Sequence, residues 1–194
     1  GTERTVHIVN PLSKELDVMR QSLLFGVLET IIRNQNQKVA DVKVYEFGKV
    51  YAYNPMLKES GDVTKTYQET KYLGMAVCGS LNRESWNKDT QKAGFYFLRS
   101  KMEQVFKKMG LDVSKFKFQE LENDLFAYGL TLLYRKEPLA MIGQVAPKLL
   151  KYFDIKQEVA YAEIDWNVLI KIHATTKFKY ESLPKFPPVR RDLA

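Results

Sequence analysis

Two carboxylates stand where the pattern calls for an apolar side chain. In "DVKVYEFGKVYAY", residues 41–53, alternate positions divide into the two faces of a strand. Val42, Val44, Val50 and Ala52 form one face, and Tyr45, Phe47, Tyr51 and Tyr53 the other. Glu46 and Gly48 interrupt the aliphatic side. In "VAYAEIDW", 159–166, Glu163 breaks a second apolar run, with Asp165 two residues on and on the same face. Paired carboxylates can do general acid–base work. A bare carboxylate in apolar surroundings is costly, so each acid is expected to be a structural group paired with an arginine or lysine. Arg20 and Arg33 are the candidate partners.

The other signatures of chemistry are missing. There is no Gly-rich phosphate loop and no G-x-S-x-G elbow. His7 and His173, the only histidines, have no metal-ligand spacing to each other. The single cysteine, Cys78, shares a strand face with Gly74 and Ala76 and reads as a buried thiol. One cysteine allows neither a disulfide framework nor a multi-cysteine zinc site, which favours a reducing compartment such as the cytoplasm.

The elements that must position these residues follow from periodicity. "TVHIV" at 5–9 reads as a short strand. Leu23, Leu24, Val27, Leu28, Ile31 and Ile32 recur at helical spacing within a helix from about Ser22 to Gln35. Gly26 lies inside it, so either something approaches the helix closely there or Gly26 belongs to its first turn. Strands are expected at 41–53, 69–81, 115–121, 126–135, 137–145 and 159–166, with a hairpin around Lys136 and Glu137. Phe95, Leu98, Met102, Val105 and Met109 mark an amphipathic helix that Gly110 and Leu111 close. "APKLLKYFDI" is a short helix with Pro147 in its first turn, and another helix starts at "NVLIKIH". Trp86 is expected over a core edge. The fold class is α+β, a largely antiparallel sheet with helices packed on it.

The 194 residues suit one domain with a real core, and no apolar run reaches the ~20 residues of a membrane span. The net charge of +7 comes from scattered lysines, so it permits an RNA partner without requiring one. The chain opens on "GTERT" and closes on a Pro-rich stretch, "FPPVRRDLA". It is expected to be a piece of a longer protein, with a module at 1–183 and a linker to a further domain at 184–194.

The order of segments carries a resemblance. "NPLSKELDVMRQSLLFGVLETIIRNQNQ", then "VYEFGKVY", "GSLNRESW", a helix ending "KKMG", "YAEIDWNVLI" and "FPPVRRDLA" together resemble the β chains of bacterial phenylalanyl-tRNA synthetases. The resemblance runs over nearly the whole chain. It implies the catalytic-like module, a class II synthetase-like antiparallel sheet flanked by helices and a degenerate copy of the catalytic domain of the α chain. By the same resemblance the module pairs with that domain in an (αβ)2 enzyme. That enzyme charges tRNA(Phe) using ATP and magnesium, and its β-chain magnesium ligands come from a segment just before residue 1.

The resemblance places motif 1, the subunit-interface element, at "NPLSKELDVMRQSLLFGVLETII", and so Leu23, Leu24, Val27, Leu28 and Ile31 at a subunit interface. "VYEFGKVY" takes the place of the motif 2 strand and "YAEIDWNVLI" that of motif 3. A working motif 2 holds the α-phosphate of ATP with an arginine shortly before its glutamate, where this chain has Lys43, Val44 and Tyr45. A working motif 3 has a glycine-rich strand end and an arginine, where this chain has Asp165, Trp166 and Asn167. Without those cations the transferring phosphates are unsupported. The resemblance therefore implies a non-catalytic module in which Glu46, Gly48 and Glu163 are structural residues of a pseudo-site. The chain also departs from its relatives. "ENDLFAYGL" stands for a common "HPGRSA", "GQVAP" at 143–147 for "GELHP", and Phe25 for a proline. An active class II ligase domain and a stand-alone RNA-binding module are the alternatives.

Overall fold

The computed structural model describes residues 4–11, 17–56, 66–82, 91–176 and Phe186. Trp86 and the proposed linker 184–194, apart from Phe186, lie outside the described residues. The elements in order are α1 (Leu24–Asn36), β1 (Val42–Tyr53), β2 (Tyr67–Cys78), α2 (Phe95–Lys108), a 3-10 turn (Val113–Lys115), β3 (Phe116–Glu120), β4 (Phe126–Tyr134), β5 (Glu137–Val145), α3 (Pro147–Tyr152), β6 (Val159–Asp165) and α4 (Trp166–Thr175). The strands form one six-stranded sheet in the order β1-β2-β6-β5-β4-β3, every neighbouring pair antiparallel. Among the described residues no helix is long and apolar enough to cross a membrane.

The sheet is buried from both sides, by different helices. On one face α2 brings Leu98, Met102 and Phe106, and α4 brings Leu169 and Ile172, onto Leu73, Val77, Ala160, Ala162, Ile164 and Ile142. Two alanines in β6 keep its surface low, so these helices approach the sheet closely. On the other face Leu24, Val27, Leu28 and Ile31 of α1, with Leu150 of α3, cover Val42, Ala76, Cys78, Val159 and Tyr161. This second layer covers only one end of its face and leaves the other end to polar groups.

Two expectations need correction here. The segment at 5–9 is not a strand. Among the described residues it makes a single antiparallel bridge, His7 to Val18, closed by Ile8 N to Asp17 O and Met19 N to Val6 O, and leaves Ile8 and Val9 exposed, a pairing too short to make a strand. The apolar face of α1 is not a subunit interface in waiting. Leu23, Leu24, Val27, Leu28 and Ile31 are at most 3% exposed in the single chain. Sheet and α3 together absorb the whole broad stripe, each such side chain contributing about 1.5–3 kcal/mol to this chain's own core. The outward residues of α1 are Phe25, Gly26, Glu29, Thr30 and Arg33. Gly26 belongs to the first turn, and a Cβ there would meet nothing within 4 Å.

The helix ends follow sequence chemistry to different degrees. Gly110 ends α2 with φ 73°. Its N–H bonds Lys107 O at 2.9 Å while Leu111 N bonds Phe106 O, the pairing that sequence leads one to expect of a glycine stop. The same geometry closes α1 at Lys38, φ 64°, with Lys38 N to Gln35 O and Val39 N to Asn34 O. A lysine is strained there and a glycine is not. Lys38→Gly is therefore expected to stabilise the chain by about 0.5–1 kcal/mol in urea unfolding. An unchanged midpoint would mean that the left-handed conformation carries no cost.

Candidate functional site at the open end of the sheet

Register brings the two acids into one row. Glu46 of β1 lies opposite Gly74 of β2, and Gly74 lies opposite Glu163 of β6. Glu163 lies opposite Met141 of β5. The glycine between the acids leaves a trough on the face beyond the end of α1. Into it comes the segment Arg20–Leu23, just before the helix.

Arg20 answers the question of what neutralises Glu46. Its Nη1 donates to Glu46 Oε1 at 2.7 Å and its Nε to the carbonyl of Lys49 at 2.8 Å. The two side chains are 45% and 36% exposed, so the pair contributes at most about 1 kcal/mol, mainly as a clamp on the edge of β1. The backbone of Arg20 adds to this clamp, its carbonyl accepting from Tyr51 N at 2.9 Å. Arg33, the other candidate, lies in the exposed last turn of α1. Gly48 makes the clamp possible. A Cβ there would collide with the guanidinium of Arg20 and lie 2.6 Å from Leu23 Cδ2.

Glu163 is held differently from the expectation. It is 4% exposed, and among the described residues no lysine or arginine makes an ion pair with it. Neutral donors do the work instead. Its Oε1 accepts from Leu23 N at 2.9 Å and from Tyr161 Oη at 3.0 Å, while Ser22 Oγ lies 3.4 Å away. Burial pushes the carboxyl above the ordinary carboxylate range, and these donors and the charge of Arg20 only partly oppose the shift. Burial beside that carboxyl also holds the Tyr161 phenol strongly in its protonated form. Tyr72 is pushed up to about 12, by burial first and then by Asp165 and Glu163. Asp165 is not a partner in acid–base work, because its side chain caps α4 by accepting from Val168 N at 2.9 Å. Ser22, Leu23 and Tyr161 were missed from sequence as parts of this site. Only Tyr161 left a signal, two residues before Glu163 on the same face.

The remaining chemical candidates are not gathered into a site among the described residues. Cys78 is fully buried with its thiol 3.7 Å from Ala40 O, and burial pushes its pKa up. His173 Nδ1 lies 2.9 Å from Met109 O, and His7 is exposed. Among the described residues no three His, Cys, Asp or Glu side chains come together as metal ligands. Among the described residues the one arginine of this trough, Arg20, is committed twice, to Glu46 and to the Lys49 carbonyl.

Comparisons with known proteins agree with this architecture. The solved pyrrolysyl-tRNA synthetase from Desulfitobacterium hafniense superposes with a TM-score of 0.65 over 90% of this chain and 55% of that one. At 11% identity this likeness speaks for the fold alone, a six-stranded antiparallel sheet flanked by helices. Sequence relatives are closer. The phenylalanine–tRNA ligase beta subunit of Bacteroides thetaiotaomicron is 40% identical over 195 residues, covering 100% of this chain and 24% of that protein. That of Porphyromonas gingivalis is 34% identical over 193 residues, 99% of this chain and 24% of its own length. The chain thus spans about a quarter of the length of the curated relatives it matches. Residues 1–166 match the family described as phenylalanyl tRNA synthetase beta chain CLM domain. With that match over most of its length, and with the sheet, helices and register in place, the chain belongs to the phenylalanyl-tRNA synthetase beta chain family.

Proposed function

We propose that this chain is a non-catalytic structural module of the β subunit of a phenylalanine–tRNA ligase. It pairs with the catalytic α subunit in an (αβ)2 enzyme of the cytoplasm. The whole enzyme charges tRNA(Phe) with phenylalanine using ATP and magnesium, neither of which this module binds. The observation that carries the reading is the double commitment of Arg20, to Glu46 and to the Lys49 carbonyl, on an otherwise acidic trough. Phosphoryl chemistry needs free cations aimed at the phosphates, and among the described residues this trough offers none.

The test uses the full-length enzyme assembled from both subunits. Glu46→Gln and Arg20→Ala are expected to leave kcat for aminoacylation, and KM for ATP, close to the parent values. A fall of ~10²-fold or more in kcat, the size of losing a transition-state donor, would place chemistry at this face and overturn the reading.

Pairing through α1 has to use its outer side. Phe25 there is 43% exposed, with its ring 6.4 Å from Phe153, and Tyr152 beside Phe153 is 83% exposed. Phe25→Asp is expected to weaken assembly with the α subunit by about 2 kcal/mol, the scale of an aromatic anchor in an interface. Sedimentation of the purified subunits over a concentration series reads this directly. Assembly as tight as the parent's would rule out that side of α1 as the contact.

A further inference from the structure

The face of β1 turned away from the acidic trough has a different character. Every residue that β1 places on it is basic or aromatic: Lys43, Tyr45, Phe47, Lys49, Tyr51 and Tyr53. Tyr45 is 74% exposed and Phe47 47%, and Tyr67, opposite Tyr53 on β2, is 50% exposed. The rings of Tyr45 and Phe47 lie 6.4 Å apart, edge to face, and Trp166 at the start of α4 supports Phe47 from beneath at 4.7 Å. Lys49 stands directly opposite Lys71, a placement in which like charges repel. Glu69 pairs with Lys49 at 2.7 Å. Lys71 makes no ion pair among the described residues, and its ammonium lies 5.9 Å from the Phe47 ring.

We infer that this face is a docking surface for a single-stranded stretch of RNA, with bases stacking on Tyr45 and Phe47 and phosphates held by Lys49 and Lys71. The argument rests on charge and composition. Lys43 donates to the carbonyls of Ser80 and Leu81, at 3.2 and 2.9 Å, which leaves Lys49 and Lys71 against the one glutamate, Glu69, and on a chain of net charge +7 this excess of positive charge complements a polyanion. Rings interleaved with ammonium groups on an open sheet face suit unpaired bases on their backbone. They suit a protein partner poorly, because lysine is depleted from the core of protein interfaces. The inference rests on the proposed function only for the source of the RNA, the tRNA that the enzyme charges.

The test again uses the assembled enzyme, with a fluorescein-labelled single-stranded oligoribonucleotide as probe and fluorescence anisotropy as the readout. Tyr45→Ala is expected to weaken binding about tenfold, and Tyr45→Trp to restore it, since any flat ring stacks on a base. Lys71→Gln is expected to flatten the log–log salt dependence by about 0.7, one phosphate's share on a single strand. Equal affinity of the parent, Tyr45→Ala and Lys71→Gln enzymes would overturn the proposal. So would a Tyr45→Ala enzyme whose subunits come apart while its RNA affinity is kept, because the face would then be a protein contact. A β subunit that binds the probe through Tyr45 but does not join the α subunit would sink the functional reading and leave this one standing.

Discussion

Glu163→Ala is expected to destabilise the chain by about 2–4 kcal/mol, whereas Glu163→Gln changes stability by less than about 1 kcal/mol. The difference lies in the donors. Removing the side chain leaves the buried Leu23 N–H and the Tyr161 hydroxyl without their acceptor, each costing roughly 1–3 kcal/mol, partly offset by the carboxylate desolvation that disappears. Glutamine keeps an oxygen for both. In thermal melting the alanine variant should lose about 5–15 °C, given the roughly 2–4 °C per kcal/mol of a domain this size.

The pH dependence separates the two variants further. Because the Glu163 pKa is raised on folding, the folded state holds the proton longer than the unfolded one. Its contribution to stability is greatest below the ordinary carboxylate range and falls as pH rises to the raised value, after which it is constant. Glu163→Gln removes this slope, so its stability relative to the parent should grow as pH rises from the ordinary glutamate range and then level off. A glutamine variant whose difference from the parent is flat across acid and neutral pH would show that Glu163 does not titrate abnormally.

The second large effect is expected at Gly48, where valine should cost about 2–4 kcal/mol and alanine about 1–3 kcal/mol. The added Cβ would lie 2.6 Å from Leu23 Cδ2 and 2.9 Å from Glu46 Oε1, and would collide with Arg20. Leu23 is fully buried and cannot retreat without opening the core beneath α1, whereas Arg20 is half-exposed and can swing away. Arg20→Ala should therefore relieve part of the Gly48→Ala cost. The double-mutant cycle is expected to show a coupling of about 0.5–2 kcal/mol, typical of residues in contact. Strict additivity in urea unfolding would mean that Arg20 is not what makes glycine necessary here.

Particular elements show how much was legible in advance. β1, β2, β4, β5 and β6 stand within two or three residues of their expected places, β1 because one face is more exposed than the other and period two survives in its sequence, and β6 because a short apolar run buried on both faces is bounded by polar residues. The glycine stop of α2 was legible for the same local reason. The β4–β5 hairpin was legible to within one residue, but not the geometry of its turn, which falls on Arg135 and Lys136 with φ of 49° and 77°. A two-residue turn with both φ positive usually announces itself by asparagine and glycine, and here only the closure of Tyr134 against Glu137 enforces it.

The sequence by itself determined the fold class, the family and the presence of acids that interrupt apolar strands, since periodicity and residue type are local. It also named Arg20 among the partners of Glu46. Only tertiary structure decided that Arg20 reaches Glu46 past Gly48 and that Glu163 is satisfied by a backbone N–H and a tyrosine. It alone decided, too, that the apolar stripe of α1 is spent on the chain's own sheet. Each of these depends on the strand register and on how α1 lies across the sheet, which place residues more than a hundred positions apart within hydrogen-bonding distance. A pattern read along the chain carries no term for such contacts.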